Sequence, residues 1–541
     1  TCRCEHCLAA FRQFVGARHA DLAAVNAMLG RDFAAVGDVV PPATDAIRRR
    51  ELGDTALPQD LRAFSLWLDF VDDQYARAVL AIARGVAAVL PDTPIGVTGT
   101  AAPAAFGGND PARWLPELTL LEPYAVGGAP ELARSLAHRS AHRYATLVPP
   151  AARELGEVPL ASWVRARIAA MACAGLAGVV VWNDGTIVDA AGAATPFGEA
   201  VQAAFRSLQR PLDELAGAPV APGPVWVLES QASVRAWWML DSAADGMTWV
   251  RRLQSYEAGH STSQAARLGW IRLLQDLGCQ PRFVTEADLP ERLLRERPRC
   301  LVLPAAIALA DRTAQALATW VHNGGVLLAD HSAGLYDANL RRRDAGACDA
   351  LFGVTARSLL WHDLLVREGK ATGSGRGLPL AERGLSGLLG EHRDGGDAHL
   401  ERQVGRGRAI YLNAPVVEYA SWRIAPARVE PARDLRRRVR SALVAAGVVP
   451  PCEVRGDGLP TLIERTLLRT RDGREVLAIR VNALEAPTVL QRLAADGPRK
   501  VRVELAAPAR LRHLGGETIG DGTGFDLQLD PFGALFLEVG R

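Results

Sequence analysis

Lysine is nearly missing from this chain: Lys370 and Lys500 are the only two, so arginine supplies sixty of the 62 basic residues. Under that bias the runs Arg48–Arg50, Arg341–Arg343 and Arg436–Arg438 read as solvated faces set by composition, not as a nucleic-acid stripe. A net charge of +2 gives neither nucleic acid nor an anionic membrane a reason to bind. No apolar run reaches the ~18 residues of a spanning helix, and no signal-peptide pattern opens the sequence. Residue 1 is Thr, not Met, which reads as a start inside a longer chain and leaves an export leader open. Paired cysteine spacing is missing beyond residue 7. Cys173, Cys279, Cys300, Cys348 and Cys452 stand far apart, as free thiols of a reducing, cytoplasmic compartment would, and exclude a disulfide framework.

What is there begins with Thr1-Cys2-Arg3-Cys4-Glu5-His6-Cys7. Three cysteines in a C-x-C-x-x-C spacing are hard to explain as packing. Thiolates this close can share one tetrahedral zinc, at Zn–S distances of about 2.3 Å, but a closed site takes four ligands. Cys2, Cys4 and Cys7 are the candidate metal ligands. His6 and His19 are the nearest fourth donors, and a ligand upstream of residue 1 is the simpler expectation.

The length of 541 residues suits two to four domains. Up to about residue 205 helical and short apolar segments alternate. The spacing predicts helices over Leu8–His19, Leu61–Val89 and Ser162–Ala174. Strands are expected at Ile95–Thr100, Leu118–Leu121, Tyr144–Val148 and Gly178–Trp182. Four strand–helix units of a parallel sheet amount to half of an eight-stranded (β/α)8 TIM barrel. A Pro/Gly/Ala linker at Pro219–Pro224 leads to a second α/β unit of flavodoxin-like type. Its expected strands begin at Val225, Arg282, Cys300, Val326 and Ala409, its helices cover Ser263–Leu277, Asp311–His322 and Leu435–Ala446, and a Gly-rich loop spans Gly369–Gly396. After Pro450-Pro451, short strands with Asp472-Gly473 and Asp521-Gly522 turns predict a small antiparallel β-sandwich. The resulting domains are 1–210, 225–450 and 455–541.

This order of parts, together with Cys2-x-Cys4-x-x-Cys7-x-x-Ala10-Phe11, resembles the family-42 glycoside hydrolases, whose type activity is β-galactosidase. The resemblance implies a catalytic barrel, a glutamine-amidotransferase-like trimerisation domain and a C-terminal β-sandwich, hence a homotrimer acting on carbohydrate. It also implies a structural zinc at the cysteines. The mechanism it implies is retaining, with two carboxyl groups about 5–5.5 Å apart. The family's acid/base position falls before Thr1, and its nucleophile position falls on Val148. Glu122, in Leu121-Glu122-Pro123-Tyr124, ends the preceding strand and is the catalytic candidate, with an ordinary loop carboxylate as the plain alternative. Trp182 is placed to stack on a sugar or to pack the strand end, while Asn183, Asp184 and Tyr124 are candidate sugar contacts. Two functions stay open: a diverged glycoside hydrolase, and a catalytically inactive carbohydrate-binding or scaffold protein of the same architecture.

Amidotransferase chemistry needs a Cys nucleophile on a strand–turn–helix elbow. Cys300 begins a strand, and Cys279 and Cys348 lack the setting, so the second unit is expected to be inert. The aromatic and arginine-rich stretch from Gln231 to His260 suits either a neighbouring subunit's barrel mouth or packing against its own barrel. A half barrel alone would leave two sheet edges open to association.

Overall fold

The computed structural model describes residues 3–42, 60–100, 103–105, 107–138, 140–181, 183–245, 261–330, 333–353, 399–412, 416–456, 462–495 and 497–540. Two short helices come first, α1 (Glu5–Gly16) and α2 (Leu22–Leu29). Asp21 caps α2 by accepting from the Ala24 N–H at 2.8 Å, and Gly30, in the left-handed conformation, ends it. The long helix α3 (Arg62–Val89) follows, its first N–H bound by the Asp60 carboxylate. Phe11 and Phe14 of α1 pack edge-on against Phe70 of α3, at 5.4 Å between ring centroids in each case.

The barrel segment alternates as its apolar pattern requires: β1 (Gly96–Thr100), β2 (Leu120–Pro123), α4 (Ala129–Leu136), β3 (His142–Thr146), α5 (Leu160–Cys173), β4 (Gly178–Val180) and α6 (Pro196–Ser207). The four strands are parallel and lie side by side in chain order. Among the described residues β1 pairs only with β2 and β4 only with β3. All four strands lie within three residues of their expected positions.

The second unit runs β5 (Val225–Glu229), α7 (Gln231–Asp245), α8 (Thr262–Asp276), β6 (Arg282–Thr285), α9 (Leu289–Glu296), β7 (Cys300–Leu303), α10 (Asp311–His322), β8 (Val326–Ala329), β9 (His399–Val404), β10 (Gly407–Leu412) and α11 (Val429–Ala445). Its strand order, β6-β5-β7-β8-β10, is the 2-1-3-4-5 order of flavodoxin-like sheets. An antiparallel edge strand, β9, is added through pairing with β10. The predicted loop at 369–396 lies outside the described residues.

The C-terminal unit corrects the expectation in two ways. Its six strands, β11 (Cys452–Arg455), β12 (Ile463–Arg469), β13 (Glu475–Val481), β14 (Arg499–His513), β15 (Thr518–Leu529) and β16 (Ala534–Gly540), form one connected antiparallel sheet instead of two stacked ones. The sheet curls because β14 pairs β11 along its first half and β16 along its last four residues. Asp472-Gly473 is a turn as expected, but Asp521-Gly522 lies inside β15, where Gly522 at φ 144° sits at a break in register with β14.

Two apolar cores hold the barrel segment. Ala76 and Leu80 of α3 with Leu132 and Leu136 of α4 are buried against Trp270 and Leu274 of α8 and the β5–β10 sheet. Val164 and Ile168 of α5 with Phe197 of α6 are buried against Leu468, Leu477 and Leu537 of the C-terminal sheet. Each such fully buried side chain contributes roughly 1.5–3 kcal/mol of transfer free energy.

Candidate active site at the strand ends

In parallel α/β sheets functional groups gather at the C-terminal strand ends. In the barrel segment those ends carry Thr98, Glu122 and Thr146 on neighbouring strands. Thr98 is in register with Glu122 across β1 and β2. The Thr146 hydroxyl donates to Glu122 Oε1 at 2.7 Å from the next strand over. Glu122 has no solvent exposure, so β2 delivers a carboxylate into the sheet's interior and not onto a loop surface. Tyr124, two residues on, lies against Gly99. A Cβ at Gly99 would stand 2.9 Å from the tyrosine oxygen, and its φ of 68° also favours glycine.

The remaining candidates are placed differently. Asn183 and Asp184 are exposed, and both side chains accept from the Gly185 N–H, at 3.0 and 2.8 Å, within their own turn. Trp182 lies outside the described residues. Val148, just past the end of β3, is 51% exposed. An apolar side chain therefore faces water where the resemblance puts a nucleophile. Glu122, Thr146, Tyr124 and Gly99 come together, whereas Asn183 and Asp184 are tied up locally. Thr146 and Gly99 carried no sequence signal of their own, since only the parallel pairing brings them to Glu122 and Tyr124.

Of the cysteine cluster, Cys2 lies outside the described residues. Cys4 is the N-cap residue of α1 and Cys7 sits in its first turn, three positions apart on one helical face. A helix N-terminus favours the thiolate form that metals bind. Among the described residues no group of three metal-binding side chains forms, so two of the three expected donors are placed and the set is not complete.

In the flavodoxin-like unit the elbow after β7 is Ala305, whose φ is 45°. An alanine stands where an amidotransferase nucleophile would be needed. The thiols lie elsewhere, and burial pushes Cys279 up to about 11 and Cys348 up to about 12, which keeps them protonated and inert. Asp330, at the end of β8, closes the elbow by accepting from the Ala305 N–H at 2.7 Å and from Trp270 Nε1 at 2.8 Å. Trp237 and Trp238 of α7 are buried with Phe11, Trp67 and Phe70, and Trp237 Nε1 donates to the Ala305 carbonyl. This part of the stretch packs against its own chain. Trp249, Arg251, Arg252, Tyr256, Glu257 and His260 lie outside the described residues.

A four-stranded parallel sheet, a flavodoxin-like sheet and a curled antiparallel sheet together make a glycoside-hydrolase-like fold. Comparison with solved structures bears this out along the whole chain. The catalytic mutant of Gan42B, a GH42 β-galactosidase from G. stearothermophilus, superposes with a TM-score of 0.66 at 14% identity, covering 100% of this chain and 77% of that one. The β-galactosidase from Bacillus circulans sp. alkalophilus gives 0.64 at 13% identity, with the same coverage. The apo exo-carrageenase GH42 from Bacteroides ovatus gives 0.58 at 10% identity, covering 99% of this chain and 63% of that one. At these identities the likeness is one of fold. No protein-family profile and no curated protein sequence matches the chain.

Asp330 provides a pH test of the elbow. Burial raises its carboxyl from 3.8 to about 6. A raised folded-state value means the folded chain holds the proton more tightly, so stability is fullest below about pH 4 and falls as pH rises through 6. Asp330→Asn removes this dependence. Measured by denaturant unfolding, the variant should gain on the wild type by up to about 3 kcal/mol between pH 4 and 7. A constant difference across that range would contradict the assignment.

Proposed function

We propose that the chain is a diverged glycoside hydrolase of family-42 architecture, hydrolysing glycosidic bonds at the strand-end face of its barrel segment. The observation that carries this is the fold match with GH42 enzymes over the full length of the chain. In this reading Glu122 is one of the two carboxyl groups that glycoside hydrolysis requires. The Thr146 hydroxyl fixes its orientation. Tyr124 lines the approach over Gly99, and Trp182, Asn183 and Asp184 contact sugar at the end of β4. A second reading, an inactive carbohydrate-binding or scaffold protein, is favoured by one feature, the exposed Val148 at the nucleophile position of the resemblance.

Hydrolysis of a panel of aryl glycosides and oligosaccharides separates the two. The enzyme reading predicts measurable turnover that Glu122→Gln lowers on the order of 100-fold or more, the scale of a positioned acid–base group. Sugar binding without turnover in wild type and variant alike supports the second reading.

The cysteine segment and the flavodoxin-like unit extend the proposal to a zinc-bearing trimer. Cys2, Cys4 and Cys7 would supply three thiolates to a structural zinc. The metal would pin the start of α1, and no catalytic step runs through it. Native mass spectrometry tests both parts at once. Three chains with one zinc each are expected, and Cys7→Ser should lose the metal. A zinc-free monomer would overturn both.

A further inference from the structure

At the end of the barrel segment opposite Glu122, a groove of about 1180 Å³ opens between α4 and β3, the linker at 217–223 and the flavodoxin-like unit. Arg134 of α4 and Arg143 at the start of β3 line it, with Arg282, Arg292 and Arg295 on the far wall. Arg143 is 9% exposed, yet among the described residues its hydrogen bonds go to neutral carbonyls, those of Gly175 at 3.0 Å and Ala218 at 3.4 Å. Those carbonyls converge because the chain crosses itself tightly: a Cβ at Gly175 would stand 2.1 Å from the Ala218 oxygen. Arg134 likewise donates to neutral acceptors, Gln280 Oε1 at 3.2 Å and the Pro281 carbonyl at 3.3 Å.

Neither guanidinium forms an ion pair among the described residues. The carboxylates closest in effect to Arg134 are already engaged, Glu131 with Arg272 at 3.7 Å and Glu464 with Arg480 at 2.5 Å. Two of the groove's own carboxylates are engaged too. Glu296 pairs with Arg282, Arg292 and Arg295, and Asp288 accepts from Thr285. Glu291 also lines the groove, on α9. Burying a charge without a counterion is costly, and the cost grows when a like charge is near. Burial and the charge of Arg134 together lower the Arg143 guanidinium to about 10.

We propose that Arg134 and Arg143 form an anion site that takes a tetrahedral oxyanion, the phosphate or sulfate group of a small molecule. Planar guanidinium forks match two oxygens of such a group, and both residues line the groove. The bound anion would bridge barrel segment, linker and flavodoxin-like unit. The site is independent of the chemistry at Glu122, because it opens at the N-terminal ends of the strands.

Calorimetric titration of the full chain with inorganic phosphate, and separately with sulfate, at fixed chloride concentration tests this. Saturable binding is expected, weakened at least tenfold in Arg143→Gln. Protection of Arg143 from phenylglyoxal by phosphate, mapped by peptide mass, gives a readout on the unmutated protein. The absence of saturable binding, undiminished affinity in Arg143→Gln, or modification of Arg143 at the same rate with and without phosphate would each overturn the proposal.

Discussion

The constraint on which the structure depends is that the barrel segment cannot cover itself. Four parallel strands with helices outside them leave each helix with an outward face that needs a partner. In this chain those faces are taken by different units: α3 and α4 bury theirs against α8 and the flavodoxin-like sheet, α5 and α6 against the curled sheet. The two apolar cores therefore clamp the segment that carries Glu122. Among the described residues, those domains hold the strand-end site through apolar packing.

Buried arginine is the second organising element, and it follows from the near absence of lysine. Arg423 and Asp276 pair at 2.7 Å with both side chains fully buried. Arg267 clasps Glu229 at the end of β5 through Nε at 2.7 Å, and Arg235 of α7 reaches Asp72 of α3 at 2.6 Å. The last pair ties the flavodoxin-like unit to the barrel segment. Asp72 is nevertheless raised to about 6, because its burial outweighs the attraction of Arg235. Such pairs add little net stability over apolar packing, but removing one partner costs about 3–5 kcal/mol. Their service is to fix which surface meets which. Arg134 and Arg143 stand apart from this pattern, since they lie in the same kind of interdomain setting with no paired carboxylate among the described residues.

Much of the fold was legible in the sequence because short apolar runs bounded by Pro and Gly mark buried strands without ambiguity. Val225–Leu228, Cys300–Leu303 and Val326–Ala329 are such runs, and Asn323-Gly324-Gly325 marked the end of α10. The edge strand β9 was not legible: His399-Leu400-Glu401-Arg402-Gln403-Val404 is too polar to read as sheet. In β14 and β15, Pro508 and the glycines 520, 522 and 524 disguised two long paired strands as turns. Within the site, Glu122 and Tyr124 could be picked from their place at a strand end. The Glu122–Thr146 bond could not, because it joins residues 24 apart that only strand pairing makes neighbours. Arg143 was equally hidden, since burial alone distinguishes it from the other arginines.

Glycoside hydrolysis at the strand ends, the activity proposed above, is open to one direct test. The most direct test follows a β-galactoside in the presence of the purified protein by proton NMR and reads the anomeric configuration of the first product released. A two-carboxylate retaining site predicts a product that keeps the configuration of the substrate. Inversion, or no product at all from any glycoside, would contradict the account.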